Sequence, residues 1–462
     1  MKKKVLITLV LVLTTIYLVG SVTRLISNNS DNKATLICNS NGNCWEPTGE
    51  NVQAAIDDLD SGTVWLPQGT FEIGSQRIEL KSNISLLGSG IGSTILKKDG
   101  SGTMILLAEA SKNFRIADMT LDGNRRGGGT GHVMRTGFSE DFILENLRII
   151  NPGGAGIYIS NCENGIYSKI TVTDTDHLNH QGFGITGSDS LIFNDCILED
   201  CKQNMCLDMT QTKNTQINNM IIKDSQYGIK FTGRTEEDDL TENISVNNLK
   251  IIGGEACLQI KAVKNSNFNN LNLVDCEGGI TVLEVCENIN LNNINLNSTG
   301  SGLSLLGKNI NVRNVNVLEP SSFSLRITGA ENVQVSNFNS KGSNGWNSIS
   351  GSTGVSVKES IFSEGTATDH VFILRNSQGI KFSNSQILNN LGNALYFDDD
   401  GGANTNFIVS DNIIKNNNRG IYLDNGVHDN FIISNNIIQN NTVGDISDNS
   451  ASTNKIVGDN LT

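Results

Sequence analysis

The octapeptide "INLNNINL", residues 289–296, carries the pattern that decides the fold of this chain. Apolar residues alternate with polar ones, Asn292 and Asn293 interrupt the alternation, and the alternation then resumes. The same pattern aligns without gaps in six further octapeptides, "LIFNDCIL" from Leu191, "TQINNMII" from Thr215, "ISVNNLKI" from Ile244, "SNFNNLNL" from Ser266, "INVRNVNV" from Ile310 and "VQVSNFNS" from Val333. Each copy predicts two short strands, each with one buried face, joined by a bend of two residues.

A second strand pattern recurs between these copies at steps of about 24 residues. It is seen in "GIYIS" at Gly156, "GFGIT" at Gly182, "GIKFT" at Gly228 and "GIYLD" at Gly420. Short strands at this period predict an all-β fold, a parallel β-helix in which some fifteen coils about 4.8 Å apart form a rod about 70 Å long. Inward residues are predicted to stack in core columns, and Cys196 falls in such a column.

The second position of the bend is asparagine or aspartate in copy after copy. It is occupied by Asp195, Asn219, Asn248, Asn270, Asn293, Asn314, Asn337, Asn384, Asp411 and Asn435. These residue types tolerate the left-handed backbone conformation better than most others do. We therefore expect one left-handed bend per coil, with the amides stacked so that they hydrogen-bond along the rod axis.

The first coil needs a cover, because an open strand edge invites pairing with other chains. The segment "TGENVQAAIDDL", residues 48–59, supplies one. Val52, Ala55, Ile56 and Leu59 follow the spacing of an amphipathic helix, which predicts a short N-terminal capping helix. We assign residues 45–462 to a single β-helix domain.

The N-terminus has the pattern of a targeting segment. Three lysines, residues 2–4, precede an uncharged apolar run over residues 5–22. Residues 1–23 are predicted to be a signal peptide or a membrane anchor, the only part in contact with a membrane. Either reading places the rest of the protein outside the cytoplasm, secreted or anchored at the cell surface. Residues 24–44 are predicted to be a tether.

Nine cysteines suit an oxidising compartment. Cys38 and Cys44 flank the turn sequence "NSNGN" and predict a small disulfide hairpin. The connectivity of the others stays open, with Cys201 and Cys276 one pair that could form. None of the nine belongs to a CxxC motif, so a zinc site is not expected.

Three stretches carry a family resemblance. They are "NVQAAIDDLDSGTVWLPQGTFEI" at 51–73, "NISLLGSGIGSTIL" at 83–96 and "MTLDGN" at 119–124. Together they resemble the opening of the pectate-lyase-like superfamily, in its rhamnogalacturonase- and epimerase-like branch. The resemblance implies a right-handed helix and a polysaccharide partner. It does not fix the reaction, since lyases, hydrolases, epimerases and phage tailspikes share the fold.

Members of this superfamily bind sugar along the outward face of one strand column. The repeat register places in that column Arg135, Tyr158, Gly184, Asp208, Lys230, Gln259, Thr281, Ser304 and Arg326, with Lys261 beside Gln259. The chain has a net charge of −14, which disfavours a nucleic-acid partner. A positive stripe on such an acidic rod suits an anionic polymer. Asp208, Gln259, Lys261 and Arg326 are the predicted substrate-binding residues.

The motifs of polygalacturonases are missing from this column. Gln181, Asn204, Met205 and Tyr227 stand where the resemblance would place acids and a histidine, so inverting hydrolysis by that pair is excluded. Elimination or epimerisation of a uronate needs a base, an acid and a cation for the carboxylate. The predicted catalytic residues are His180, His177, Tyr158, Arg135 and Lys230.

The stretch "HLNHQGFGITG" is interpreted as a wall of the active site, and Gly184 as a notch that leaves room for a sugar ring. Asp208 is a candidate ligand for Ca²⁺, and no other cofactor is expected. The alternatives are that the histidines are solvated loop residues, that Asp208 and Lys230 form a surface ion pair, and that residues 398–400 are a solvated turn and not a cation site. At the level of function, the alternatives are a non-catalytic glycan-binding adhesion protein and a hydrolase with a non-standard acid pair.

Overall fold

Forty-one strands and one helix make up the described part of the chain. A computed structural model describes residues 35–74, 76–99, 104–124, 131–175, 181–201, 204–233, 240–400, 402–426, 428–452 and 454–462. The helix α1 is Gly49–Asp57. The strands are β1 Ile37–Asn39, β2 Cys44–Trp45, β3 Gly62–Trp65, β4 Gly69–Ile73, β5 Ile78–Glu79, β6 Ile84–Leu87, β7 Thr94–Lys98, β8 Leu106–Glu109, β9 Arg115–Asp122, β10 Met134–Gly137, β11 Glu140–Ile150, β12 Ile157–Ser160, β13 Glu163–Val172, β14 Phe183–Thr186, β15 Ile192–Asn194, β16 Ile197–Glu199, β17 Met205–Thr210, β18 Gln216–Lys223, β19 Tyr227–Thr232, β20 Thr241–Glu242, β21 Ser245–Lys261, β22 Val263–Val282, β23 Glu287–Asn297, β24 Leu303–Leu305, β25 Lys308–Leu318, β26 Leu325–Thr328, β27 Glu331–Lys341, β28 Asn347–Ser350, β29 Ser356–Lys358, β30 Ile361–Ser363, β31 His370–Arg375, β32 Lys381–Ser383, β33 Gln386–Leu388, β34 Asn393–Asp398, β35 Ile408–Ser410, β36 Ile413–Lys415, β37 Arg419–Leu423, β38 Phe431–Ser434, β39 Ile437–Gln439, β40 Gly444–Asp448 and β41 Lys455–Gly458.

The strands wind into coils that stack in parallel. Apart from the N-terminal hairpin and the end coils, the strands pair in parallel with the coil before and the coil after, as β11 does with β9 and β13. The solenoid has about 15 turns, so the predicted parallel β-helix is confirmed. One stack, called the first sheet below, consists of β5, β8, β10, β12, β14, β17, β19, the ends of β21 and β22, β24, β26, β28, β31, β34, β37 and β40.

The predicted bend is left-handed in every copy. Its ten residues from Asp195 to Asn435 have φ between 51° and 59°. Their amides form the predicted ladder: Asn293 Nδ2 donates to Asn270 Oδ1 at 3.1 Å, and Asn314 Nδ2 donates to Asn293 Oδ1 at 3.1 Å. Each exposed amide thus binds the coils on both sides of its own. A second, unpredicted ladder joins Asn288, Asn309 and Asn332 at another bend.

The interior is a continuous core of stacked apolar side chains. Cys196 is buried at the position equivalent to Met220 in the next coil, as predicted. Burial raises the pKa of its thiol to about 12, so Cys196 is a packing residue. Below the middle of the first sheet, Tyr167 stacks on Phe193 with ring centroids 4.6 Å apart, and Phe183 meets both rings edge-on. This aromatic cluster packs beneath the first sheet and gives its outward face rigid support.

The first coil is capped as the sequence predicts. Helix α1 begins after Thr48, whose hydroxyl accepts from Asn51 N, and it buries Val52, Ala55 and Ile56 against the core. Strand β1 pairs with β2 and β3 and buries Ile37, so the hairpin at the end of segment 24–44 packs onto the cap. In the described part of the chain, no helix has the length and apolarity needed to cross a membrane.

Three disulfides cross-link the protein. The first joins Cys38 and Cys44 in the N-terminal hairpin, at the predicted positions. The others join Cys201 to Cys206 and Cys257 to Cys276, so the pairing of Cys201 with Cys276 is wrong. Each pair lies within one coil or between neighbouring coils, whereas Cys201 and Cys276 are several coils apart and cannot meet. Cys162, Cys196 and Cys286 are free and buried.

Candidate active site

The candidate site lies on the outward face of the first sheet. Strand pairing places the nine predicted residues from Arg135 to Arg326 directly above one another, one per coil. At about 4.8 Å per coil, Arg135 and Lys230 are roughly 19 Å apart, which is short enough for one bound oligosaccharide. Arg326 lies roughly 38 Å from Arg135 and belongs to a different part of the surface.

A stacked pair of rings forms the N-terminal end of the site. His132 lies on Tyr158 with centroids 4.6 Å apart and planes 9° from parallel. Ala155 N donates to His132 Nδ1 at 3.1 Å, so in the neutral ring the proton is on Nε2. Burial, with a smaller contribution from Arg135, lowers the pKa of His132. The lowered pKa favours the neutral form of His132, whose ring packs flat against Tyr158.

His132 was not among the residues predicted for the site. It lies three residues before Arg135 in "GHVMR", and this closeness in sequence could have indicated that it belongs to the site. The predicted histidines, His177 and His180, lie outside the described residues, so their roles stay predictions. Gln181, the residue after His180, lies at the column and is described next.

Gln181 fills the notch that Gly184 was expected to leave open. A Cβ placed on Gly184 would lie 2.7 Å from Gln181 Oε1 and 3.2 Å from Tyr158 Cδ2. The expectation of room for a sugar ring at Gly184 itself is therefore wrong: the missing side chain is what allows the Gln181 amide to lie across the strand. The amide Nε2 then donates to Asp208 Oδ2 at 3.2 Å. Gln181 thus orients the carboxyl group of Asp208.

Asp208 is the carboxyl group at the centre of the site. Its Oδ1 is buried and has no hydrogen-bond partner. Burial raises the pKa of Asp208, and the positive charge of Lys230 on the next coil opposes this rise. Within the described part of the chain, Lys230 makes neither a hydrogen bond nor an ion pair, so the surface ion pair considered above does not form. Asp208 therefore keeps one buried, unpartnered carboxyl oxygen, and the Lys230 ammonium group on the next coil is unpaired within the described residues.

Arg135 carries less free charge than predicted. Its Nε lies 3.6 Å from Glu109 Oε2, on the preceding coil, and both side chains are more than one-third exposed. Glu109 was not predicted as a site residue. Its strand "LLAE" has no alternation of polar and apolar residues from which the outward face could be identified. Of the predicted catalytic cations, Lys230 is thus the one whose charge is available to a ligand. Gln259 lies on the coil after Lys230, and Lys261 projects two residues farther along the same strand.

A calcium site at Asp208 does not fit its surroundings. Ca²⁺ takes six to eight oxygen ligands, whereas the neighbours of Asp208 are the Gln181 amide nitrogen and the Lys230 ammonium group. Among the described residues, three carboxylates close enough to share an ion are found elsewhere, at Asp398, Asp399 and Asp424. Arg375 already neutralises Asp398, and Tyr396 donates to Asp424 at 2.8 Å.

A parallel solenoid with a polar column along one sheet defines a protein of the β-helix class. More particularly, the chain belongs to the right-handed β-helix family: the model of the family, described as the right handed beta helix region, matches residues 91–245 and 301–461. The predicted handedness and the resemblance to the pectate-lyase-like superfamily are thereby confirmed.

Curated relatives are similar to part of this chain. Mannuronan C5-epimerase AlgE1 of Azotobacter vinelandii is 32% identical over 129 residues, which are 23% of this chain and 9% of that protein. Alginate lyase 7 of the same organism is 33% identical over 90 residues, 16% of this chain and 10% of that protein. These relatives are carbohydrate-active enzymes, and this chain spans less than one-fifth of their length.

Two solved structures are similar to this chain. An exopolygalacturonase of family 28 from Yersinia enterocolitica is 14% identical with a TM-score of 0.49, over 72% of this chain and 74% of that one. The A-module of mannuronan C-5 epimerase AlgE6 from Azotobacter vinelandii is 16% identical with a TM-score of 0.38, over 89% and 95%.

Proposed function

We propose that this protein acts on an acidic polysaccharide by removing the proton next to a uronate carboxylate, as a lyase or an epimerase does. The observation that carries the proposal is that the buried, unpartnered Asp208 Oδ1 and the Lys230 ammonium group, which is unpaired within the described residues, occupy adjacent coils of the outward column. The relatives support the class of substrate, because they are mannuronan C5-epimerases and an alginate lyase.

The chemistry requires three roles. A base takes the proton from C5 of the sugar, and the electron pair left on C5 is delocalised into the carboxylate. Lys230 binds that carboxylate and stabilises the added negative charge. In a lyase the electron pair then expels the oxygen at C4, which an acid protonates; in an epimerase a proton returns to C5 from the opposite face.

Two groups flank the Gly184 coil and can exchange a proton with such a sugar. The hydroxyl of Tyr158 has no hydrogen-bond partner in the described part of the chain, and the free Asp208 Oδ1 lies two coils, about 10 Å, farther along the column. A sugar that lies over the Gln181 amide, which fills the space at Gly184, has Tyr158 at one end and Asp208 at the other. Asp208, which retains its proton to higher pH than an ordinary aspartate, suits the acid role. The histidines His180 and His177 remain predicted participants.

The test uses polymers of mannuronate, guluronate and galacturonate together with short oligomers of each. Lyase activity gives an unsaturated product whose absorbance in the ultraviolet rises, and epimerase activity in D₂O places deuterium at C5. We expect one of the two signals with the wild type and its loss in Asp208→Asn and Lys230→Met. Binding of a uronate polymer with neither signal would instead identify a glycan-binding protein without catalysis, and the enzymatic proposal would fall.

We also propose that the protein resides outside the cytoplasm. The support is the set of three disulfides together with the basic and apolar N-terminal segment. Alkylation before and after reduction, followed by intact mass, tests this on protein purified from its native cells. We expect alkylation of three cysteines in the denatured, unreduced chain and of nine after reduction. Nine reactive thiols without reduction would overturn the proposal.

A further inference from the structure

A second depression lies farther along the outward face of the first sheet. Its volume is about 230 Å³, and it is lined by Arg326, Trp346, Arg375, Ile373, Ser348 and Thr328. Arg326 is four coils beyond Lys230, roughly 19 Å, so this depression is separate from the candidate active site. A chain that follows the column from Lys230 towards the C-terminus reaches it directly, because Arg326 and Ser348 continue the same column.

Trp346 offers an aromatic face that no other described ring covers. It is 45% exposed. The neighbouring aromatic side chains of this face are stacked on one another instead: His370 on Tyr396 at 4.2 Å, and Tyr396 on Tyr422 at 5.2 Å. In the described part of the chain, Trp346 has no such partner. An exposed aromatic ring beside polar groups is the usual wall of a small-ligand site, and it suits the apolar face of a sugar ring.

Arg326 supplies positive charge that no carboxylate of the described residues balances. Its guanidinium group lies 4.0 Å above the ring of Phe323, and among the described residues it makes no ion pair. Arg375, by contrast, donates through Nε to Asp398 Oδ2 at 2.9 Å and lies near Asp400 as well. The stack on Phe323 holds Arg326 in place while leaving its N–H groups free for an anion.

We propose that this depression binds one acidic sugar unit, with Arg326 paired to the anion and Trp346 packed against the ring. The hydroxyls of Ser348 and Thr328 are available to the hydroxyls of the sugar. A polymer that occupies both the candidate active site and this depression gains affinity, because the second contact is intramolecular. The depression is thus an anchor for long substrate. The identity of the polymer, but not the binding itself, rests on the proposed function.

The first experiment measures binding without turnover. The uronate oligomers named above are titrated calorimetrically into Asp208→Asn protein, alone and combined with Arg326→Ala or Trp346→Ala. Arg313→Ala is the matched control, because it removes the same charge from another outward face of the rod. We expect affinity to fall about tenfold for Arg326→Ala, the usual loss for one hydrogen bond to a charged group, and by a similar factor for Trp346→Ala. Oligomers whose carboxyl groups have been reduced should respond to Trp346→Ala but not to Arg326→Ala.

The second experiment compares long polymer with short oligomer during turnover. We expect Arg326→Ala and Trp346→Ala to raise KM for the polymer about tenfold while kcat and the KM for the shortest oligomer stay unchanged. Unchanged affinity and KM in both variants, in folded protein, would overturn the anchor and leave the proposed function intact. If no polymer is turned over but the calorimetric losses are found, the anchor stands and the proposed function fails.

Discussion

Asp208 shows how one glycine shapes the candidate site at the scale of single residues. Gly184 has no side chain, so the Gln181 amide lies across the strand and holds Asp208 Oδ2. The other carboxyl oxygen is left buried and unpartnered. A buried polar atom without a partner costs stability, and such a cost is characteristic of sites where binding or catalysis supplies the partner.

Asp208→Asn is expected to melt at or above the wild-type temperature near pH 7 while losing activity. The pKa of Asp208 is raised in the folded protein, so the native state binds the proton more tightly than the unfolded chain does. Stability contributed by this group is therefore lost as pH rises from 3.8 through the raised pKa, and the neutral asparagine avoids that loss. Thermal melts across this pH range measure the difference between the two proteins.

Asp424→Asn is the control, because its expected effect on stability near pH 7 is opposite to that of Asp208→Asn. The hydrogen bond from Tyr396 lowers the pKa of Asp424, so its carboxylate contributes stability above pH 3.8 that is lost as pH falls. This variant should melt below the wild type near pH 7 and approach it in acid. A lower melting temperature for Asp208→Asn near pH 7 would contradict the conclusion that the charged, buried carboxylate of Asp208 destabilises the folded protein.

The two histidines of "HLNHQG" give a second residue-scale prediction. His180→Ala should lower turnover about 100-fold or more, the usual contribution of a general acid or base, and His177→Ala should lower it less. Both variants should keep the wild-type melting temperature. Steady-state rates on the best polymer, with melts as the control for folding, measure this. Full activity in both variants would make the stretch a polar turn.

At the scale of elements, the bend residue links one coil to the next. Asn293 has φ of 54°, donates to Asn270 and accepts from Asn314. The left-handed conformation makes the bend, and the amide makes the contact between coils. The left-handed conformation and the amide hydrogen bonds together explain why the octapeptide repeats so strictly. The alternation of apolar and polar residues alone does not mark where a strand ends and the chain bends.

Asn293→Ala should destabilise the protein by about 1–3 kcal/mol, since alanine is strained at this φ and both amide hydrogen bonds are lost. Asn293→Gly keeps the conformation and loses only the hydrogen bonds, so its loss should be smaller. Asn269→Ala is the matched control, because Asn269 is an extended strand residue with no side-chain hydrogen bond in the described part of the chain. Denaturant unfolding measures all three; equal losses for alanine and glycine would rule out backbone strain.

At the scale of the whole molecule, the rod places free cations on one line while its net charge is −14. Lys230 and Arg326 lie on the same outward column and have no ion-pair partner among the described residues. Arg135 has Glu109 close by. If the column binds an anionic polymer as proposed, the contacts are expected at separate points along its length, at the candidate site and at the proposed anchor.

Lys230→Ala should weaken binding to anionic polymers more than Arg135→Ala does, because Glu109 already offsets the charge of Arg135. Added salt should weaken the wild type in the same direction, since it screens exposed charges. Lys250→Ala removes an equal charge from another face and is the control. Affinity chromatography or calorimetry at two salt concentrations measures this. Binding of neutral and anionic glycans that is unaltered in Lys230→Ala and Arg135→Ala would refute the acidic-substrate hypothesis.

The sequence by itself determined the parallel coils, the register of the outward column, the left-handed bend and the capping helix. These follow from the local alternation of side chains and from backbone preference, which act over a few residues and repeat in each coil. Only the tertiary structure decided that His132 stacks on Tyr158, that Gln181 fills the space at Gly184, that Glu109 offsets Arg135 and how the cysteines after Cys44 pair. Those contacts join residues of different coils or depend on side-chain rotamers, and the alternating pattern of a strand contains no information about either.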